Sequence, residues 1–153
     1  MSTALIGIIS DTHGLVRPEA LDALRGVDMI LHGGDIGKAE VLSELEKIAP
    51  VTAVRGNNDR DEWARRIPET ATLDIDGLSL FMIHDIKTLK GEPTDHDVIV
   101  FGHSHKSLVE DRSGVLYINP GSAGPRRFKL PVTVARLAIE NAAASAEIIE
   151  LSV

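Results

Sequence analysis

Five apolar runs, each closed by a histidine or carboxylate motif, constrain this chain more than any other feature. The runs are ALIGIIS, VDMILHG, VTAVR, LSLFMI and DVIVF, and each has the length and composition of a β-strand. They lead into Asp11-Thr12-His13, Gly34-Asp35, Gly56-Asn57-Asn58-Asp59, Ile83-His84-Asp85 and Gly102-His103-Ser104-His105. Strand ends that share a sheet edge lie close in space, so side chains far apart in sequence converge there. Imidazole, carboxylate and amide oxygen without any thiol suit hard-to-borderline divalent metals. The pattern therefore predicts a metal site at one sheet edge.

The intervening segments predict how the strands connect. Pro18 to Leu24 begins with proline at a first helical position and spaces its apolar residues three or four apart. Lys38 to Ile48 repeats that spacing with Val41, Leu42, Leu45 and Ile48 on one face and Pro50 beyond the stop. The first sixty residues thus predict a βαβαβ start with parallel strands. A short helix is expected over Asp61 to Arg66. After Pro68 the rhythm becomes that of hairpins: Thr70 to Asp76 with Leu78 to Ile83 about Asp76-Gly77, and Ser107 to Arg112 with Val115 to Asn119 about Ser113-Gly114. Val132 to Ile139 and Ala146 to Leu151 predict a last hairpin around Glu140-Asn141, although Ala142 to Ala144 are helix formers. Two sheets packed face to face with helices outside is the expected architecture, as one domain over residues 1–153.

Taken singly, each motif has an ordinary structural reading. Asp-x-His after a strand is commonly a turn, Gly33-Gly34-Asp35 suits a helix N-cap, and Gly56-Asn57-Asn58-Asp59 suits a plain turn. Asp11-x-His13 and His103-x-His105 place like-sided groups two apart if the backbone is extended, which makes a compact chelate. A shared ligand for two ions requires two oxygens, which Asp35 offers and an imidazole does not. Phosphate-loop and dinucleotide motifs are not matched: His32 stands where the former needs glycine, Ala39 where it needs Ser or Thr, and no G-x-G-x-x-G follows the first run.

Composition narrows the function classes. A net charge of −7, with no basic cluster beyond Arg65-Arg66 and Arg126-Arg127, argues against bulk nucleic-acid binding. Apolar runs of about seven residues fall far short of the roughly twenty needed to cross a bilayer. The absence of cysteine excludes disulfides and thiolate metal sites, and together with the lack of a signal-like N-terminus predicts a cytoplasmic protein. Two divalent ions would place four positive charges against Asp11 and Asp35 and make the pocket attractive to an anionic substrate.

With these motifs in order, and with Asn119-Pro120-Gly121-Ser122 after them, the chain resembles the calcineurin-like metallophosphoesterase superfamily. It is most similar to the small single-domain phosphodiesterases of bacteria and archaea, whose fold is shared by the retromer scaffold subunit. The resemblance implies an α/β fold, a four-layer αββα sandwich of two mixed sheets flanked by helices. It implies one ion held by Asp11, His13 and His105, another by Asn57, His84 and His103, and Asp35 bridging them. Manganese is the metal expected first, with iron, zinc, nickel or cobalt also suited. The implied chemistry is in-line hydrolysis of a small phosphate ester by an activated water, with Asp35, Asn57 and His103 carrying the catalytic role.

One position departs from the commonest pattern of the superfamily. A histidine usually follows the asparagine ligand and protonates the leaving group; here that residue is Asn58, which supplies no proton at neutral pH. Diesters with good leaving groups are therefore the expected substrates, with phosphomonoesterase activity or a non-catalytic protein-binding scaffold as alternatives. Asn58, Arg126 and Arg127 are the candidate substrate-binding residues. His32 is expected to support the site, Asp59 to orient Asn58 or cap the following helix, and His96 to sit in a loop. Specificity is expected from the loops Lys87 to His96 and Gly124 to Pro131, and a homodimer is compatible with exposed strand edges.

Overall fold

A computed structural model describes residues 3–89, 95–127 and 129–153. The parts of the two proposed specificity loops at 90–94 and 128 lie outside the described residues. The first sheet contains β1 (Thr3–Ile9), β2 (Met29–His32) and β3 (Val51–Ala53), linked by helices α1 (Pro18–Ala23) and α2 (Ala39–Glu46). The second contains β4 (Thr70–Ile75), β5 (Leu78–Ile83), β6 (Val98–Val100), β7 (Leu108–Arg112) and β8 (Val115–Asn119). The chain then returns to the first sheet with β9 (Thr133–Glu140) and β10 (Ala143–Glu150). The strand orders are β10-β9-β1-β2-β3 and β4-β5-β6-β8-β7. Both sheets are mixed: β1-β2-β3 and β5-β6-β8 run parallel, while β9, β10, β4 and β7 pair antiparallel.

Side-chain alternation along the strands sorts the core into layers. Ile6 and Ile8 of β1, Leu31 of β2 and Leu137 and Ile139 of β9 pack between the sheets against Leu80, Met82, Val98, Val100 and Ile118. The opposite registers carry Ile9, Ile30 and Val134, which meet Leu24, Val41 and Leu45 from the helical segments. Strands buried on both faces must be apolar throughout, which is why β1 and β6 read as unbroken runs. Each fully buried Leu, Ile or Val side chain stabilises the fold by roughly 1.5–3 kcal/mol relative to exposure.

The two outer faces are covered differently. Ile83, Ile99, Phe101 and Tyr117 project outward from the second sheet against Ile86 and Leu89. The cover there is a single 3₁₀ turn over Ile86–Thr88, and no α-helix lies on that face among the described residues. Helices therefore flank the first sheet, and the fourth layer of the sandwich is thin. Asp61 to Arg66 is a 3₁₀ helix over Glu62–Arg66 rather than an α-helix. The last hairpin turns at Asn141-Ala142, both with left-handed φ, one residue later than its sequence suggests. Cross-strand pairing from Ala143↔Glu140 onward draws the alanines into β10, so tertiary pairing overrides their helical propensity. No helix is long and apolar enough to cross a membrane among the described residues.

Candidate metal centre

The carboxyl ends of β1, β2, β3, β5 and β6 open onto one edge of the sandwich, and the five motifs occupy the loops that leave them. Two groups of metal-competent side chains form there. Asp11, His13 and His105 make one; Asp35, His84 and His103 make the other, and the ligand atoms within each group lie within 4.8 Å of one another. Asp35 Oδ2 is 3.2 Å from His84 Nε2 and 3.9 Å from His13 Nε2, so this carboxylate faces both groups. Asp11 Oδ1 is 3.3 Å from His105 Nε2 and 3.9 Å from His84 Nε2. Asn57 lines a cavity of about 380 Å³ together with His84 and Asp85.

The backbone reaches this arrangement by an unusual route. Nine described non-glycine residues have left-handed φ; four sit in hairpin turns, and the other five are Asp11, His13, Asp35, His103 and His105. Each such conformation costs on the order of 1–2 kcal/mol for a residue with a Cβ, so the surrounding contacts must hold it. They do so through Asp11 N–H to Gly34 O and His13 N–H to Asp35 O, both 2.9 Å. The expectation that extended alternation pairs Asp11 with His13 is therefore corrected: β1 ends at Ile9, and the pair converges through left-handed turns. His103 and His105 are likewise no chelate, because they belong to different groups.

Glycine permits the close approach of these loops. Gly34 has φ 105°, and a Cβ there would lie 2.6 Å from His84 Nδ1 and 2.9 Å from the Gly56 nitrogen. The glycine of the second motif is thus required by packing as well as by its backbone angle.

Hydrogen bonds set the chemical state of each group. Asp11 Oδ2 accepts from the Ser10 hydroxyl at 2.7 Å and from the His103 amide at 3.1 Å, leaving Oδ1 buried and unpartnered. His84 Nδ1 donates to Gly33 O at 2.7 Å, which turns Nε2 toward the carboxylates. A backbone carbonyl fixing the far nitrogen is the usual way a protein orients a histidine toward a metal. Asp35 accepts from the Asn58 amide at 3.0 Å and from Asn58 Nδ2 at 3.2 Å. Burial would raise the Asp35 pKa, but the hydrogen bonds from His84 and Asn58 and the charges of His84 and His13 outweigh it and lower it to about 2. For His84, burial acts to lower the pKa, yet the hydrogen bond to Asp35 and the charges of Asp11 and Asp35 raise it overall. Buried, unpartnered Asp11 Oδ1 is costly in an apoprotein and would be satisfied by a cation. The donor set fits divalent metal.

The residues around the site correct several expectations. Asp35 does not cap α2, whose N-cap is Lys38. Asn58 turns its side chain onto Asp35 rather than leaving it free for substrate. Arg126 donates to Val153 O at 3.1 Å, while both Arg126 and Arg127 line a cavity of about 260 Å³ with His13 and His105. Asp59 neither orients Asn58 nor caps a helix; it accepts from the amides of Ile36, Gly37 and Gly56 at 3.1, 3.0 and 2.9 Å. It thus ties the second motif to the third. Asp85, whose Oδ2 lies 3.8 Å from His103 Nε2, was not singled out by the sequence, where it reads as a polar residue after a strand. His96 sits in a loop, stacked on Phe81 and 2.9 Å from Ser79 Oγ.

His32 is a supporting residue. Its Nδ1 accepts from the Gly34 amide at 3.1 Å, so the proton lies on Nε2, 3.0 Å from Thr12 Oγ1, which in turn donates to Ile36 O. This neutral chain links the first two motifs. Burial, only partly opposed by Asp11 and Asp59, lowers the His32 pKa from 6.5 to about 4. The folded value lies below the unfolded one, so this contribution to stability is full above about pH 6.5 and is lost as the pH falls toward 4. Its size is roughly 3 kcal/mol. Imidazole nitrogen NMR is expected to show a neutral, Nε2-protonated His32 at pH 5.5; a charged ring at that pH would refute the assignment.

Comparison with known proteins agrees with this geometry. Residues 5–142 match the calcineurin-like phosphoesterase superfamily domain. The chain belongs to the calcineurin-like phosphoesterase superfamily. A probable metallophosphoesterase of Methanothermobacter thermautotrophicus is 36% identical over 95% of this chain and 91% of its own. A phosphodiesterase of Methanocaldococcus jannaschii is 32% identical over 76% of this chain and 82% of its own. In fold, the chain is similar to Vacuolar Protein Sorting 29 from Cryptosporidium parvum, with a TM-score of 0.75 over 100% of both chains at 21% identity. Membership makes the chain a hydrolase of phosphoester bonds with a metal-binding site.

Proposed function

We propose that this calcineurin-like phosphoesterase is a phosphodiesterase that hydrolyses a small diester at a site for two divalent ions. The carrying observation is Asp35, whose carboxylate faces both ligand groups across 3.2 and 3.9 Å. Asp11, His13 and His105 would hold one ion, and Asn57, His84 and His103 the other. Manganese is the proposed metal; iron, zinc, nickel and cobalt suit the same donors. Bound there, such ions supply Lewis acidity that activates water and offsets phosphoryl charge. The chain's own contribution is to hold Asp35 ionised through Asn58 and His84 and to leave His103, 45% exposed, at the mouth of the site. Asn58 is committed to Asp35 and carries no transferable proton, which favours substrates whose leaving group departs as a stable anion.

The test is release of nitrophenol from bis(p-nitrophenyl) phosphate. Turnover is expected with manganese, lost on chelation and restored by the metal, with p-nitrophenyl phosphate cleaved more slowly. A faster monoester reaction would assign the site to monoesters instead. Metal-replete protein that leaves both compounds intact would refute the reading.

A further inference from the structure

We infer that the groove beside His105 is a subsite for a second phosphate, so that the substrate is a small diester bearing a further phosphate beyond the scissile one. The groove, of about 830 Å³, is lined by Ser104, Lys106, Arg127, Lys129 and Leu130. Arg127 also lines the smaller cavity that contains His13 and His105, so one side chain borders both the groove and one of the two ligand groups. This inference takes its scissile site from the proposed phosphodiesterase reading and adds the chemistry of the substrate's other end.

Charge is the first argument. The chain carries −7 overall, yet among the described residues no carboxylate lines this groove or the cavity with which it shares Arg127. Among the described residues, Lys106, Arg127 and Lys129 make no ion pair, as is true of most of the chain's described cations, so their charge is available to a bound anion. Like charges gathered without a counterion repel one another, and a bound anion removes that cost. The cavity on the Asn57 side is the opposite case. Its single cation, Arg55, pairs with Glu69 at 2.8 Å, and Asp85 adds a further negative charge. A substrate with one anionic extension would therefore place it on the His105 side.

Ser104 supplies the second argument. Its Oγ accepts from Asn119 Nδ2 at 3.1 Å and from the Lys106 amide at 3.2 Å. With both acceptor positions engaged, its hydroxyl hydrogen is left to donate to a ligand. A fixed hydroxyl donor in a groove also lined by ammonium and guanidinium groups suits the oxygens of a phosphate. Solvated surface lysines alone would need no such anchored neighbour.

The test compares thymidine 5′-(p-nitrophenyl phosphate) with its 3′-phosphorylated counterpart. The same P–O bond breaks in both: water adds to phosphorus, nitrophenolate leaves, and the water's proton passes to solvent. At low ionic strength, kcat/KM is expected to be at least about tenfold higher for the 3′-phosphorylated compound, equivalent to about 1.4 kcal/mol. The Lys106→Glu, Lys129→Glu double variant should bring that ratio to one or below. A wild-type ratio near one, or a ratio unchanged in the variant, would overturn the subsite. Calorimetry of the manganese-loaded protein with thymidine 3′,5′-bisphosphate and thymidine 5′-monophosphate separates the two readings. At least tenfold tighter binding of the bisphosphate without turnover of any diester would support the subsite and refute the phosphodiesterase. Equal binding of the two nucleotides beside normal cleavage of bis(p-nitrophenyl) phosphate would do the reverse.

Discussion

Asp35→Asn is expected to reduce manganese-dependent cleavage of bis(p-nitrophenyl) phosphate by at least about 1000-fold, or roughly 4 kcal/mol of transition-state stabilisation. The substitution keeps the shape of the side chain and removes two properties at once. The first is the negative charge that the site maintains by hydrogen bonds from His84 and Asn58, which lower the pKa to about 2. The second is acceptor capacity on both oxygens. Oδ1 faces the Asn58 amide and Oδ2 faces Asn58 Nδ2 and His84 Nε2, so an amide NH₂ in either position meets a donor. Manganese binding measured by equilibrium dialysis should weaken in parallel, because one carboxylate would serve both ions. The cores between and outside the sheets are untouched, so circular dichroism should remain that of the parent. A variant that keeps more than a tenth of the parent rate would remove Asp35 from its bridging role.

The largest expected effect on stability belongs to Asp59, a residue that need touch neither metal nor substrate. It is 3% exposed and accepts three backbone amides, those of Ile36, Gly37 and Gly56. Asp59→Ala leaves these donors without a partner. At about 1–3 kcal/mol for each buried donor, with Gly37 partly exposed, the loss should be about 3–5 kcal/mol. That is a large fraction of the roughly 5–15 kcal/mol typical of a folded domain. Urea unfolding at neutral pH measures it directly. Asp61→Ala is the matched control, because Asp61 makes no side-chain cap bond to the helix it precedes, and should change stability by less than about 0.5 kcal/mol. If Asp59→Ala unfolds within 1 kcal/mol of the parent, water replaces the carboxylate and the three bonds are dispensable.

How much of this was legible in the sequence differs from residue to residue. The apolar runs predicted β1, β2 and β6 because burial on both faces leaves no other composition, and β5 by its apolar residues with one face fully buried. Asp76-Gly77 and Ser113-Gly114 predicted their hairpins because both turns need left-handed backbone, which the structure shows at all four residues. The last hairpin was predicted despite the helix-forming Ala142 to Ala144, and its second strand starts at Ala143 rather than Ala146, since a local helical preference of a few tenths of a kcal/mol yields to eight cross-strand pairs with β9. The order of the motifs placed Asp11, His13, Asp35, His84, His103 and His105 at one edge, where the structure groups them. The reason offered for their pairing was wrong, because left-handed φ at Asp11, His13, His103 and His105 is not written in spacing.

Residue chemistry and strand-end position were sufficient to name the side chains that gather at this edge. Those are local properties, carried by single residues and by the period of the run before them. Only the folded chain decided that Asp11 and His13 converge through left-handed turns, that Asn58 turns onto Asp35, that Asp59 ties two loops together, and that Lys106, Arg127 and Lys129 line one groove. Each of these depends on distances between segments far apart in the sequence. No local pattern encodes such distances, because they are set by how two sheets close over a common core.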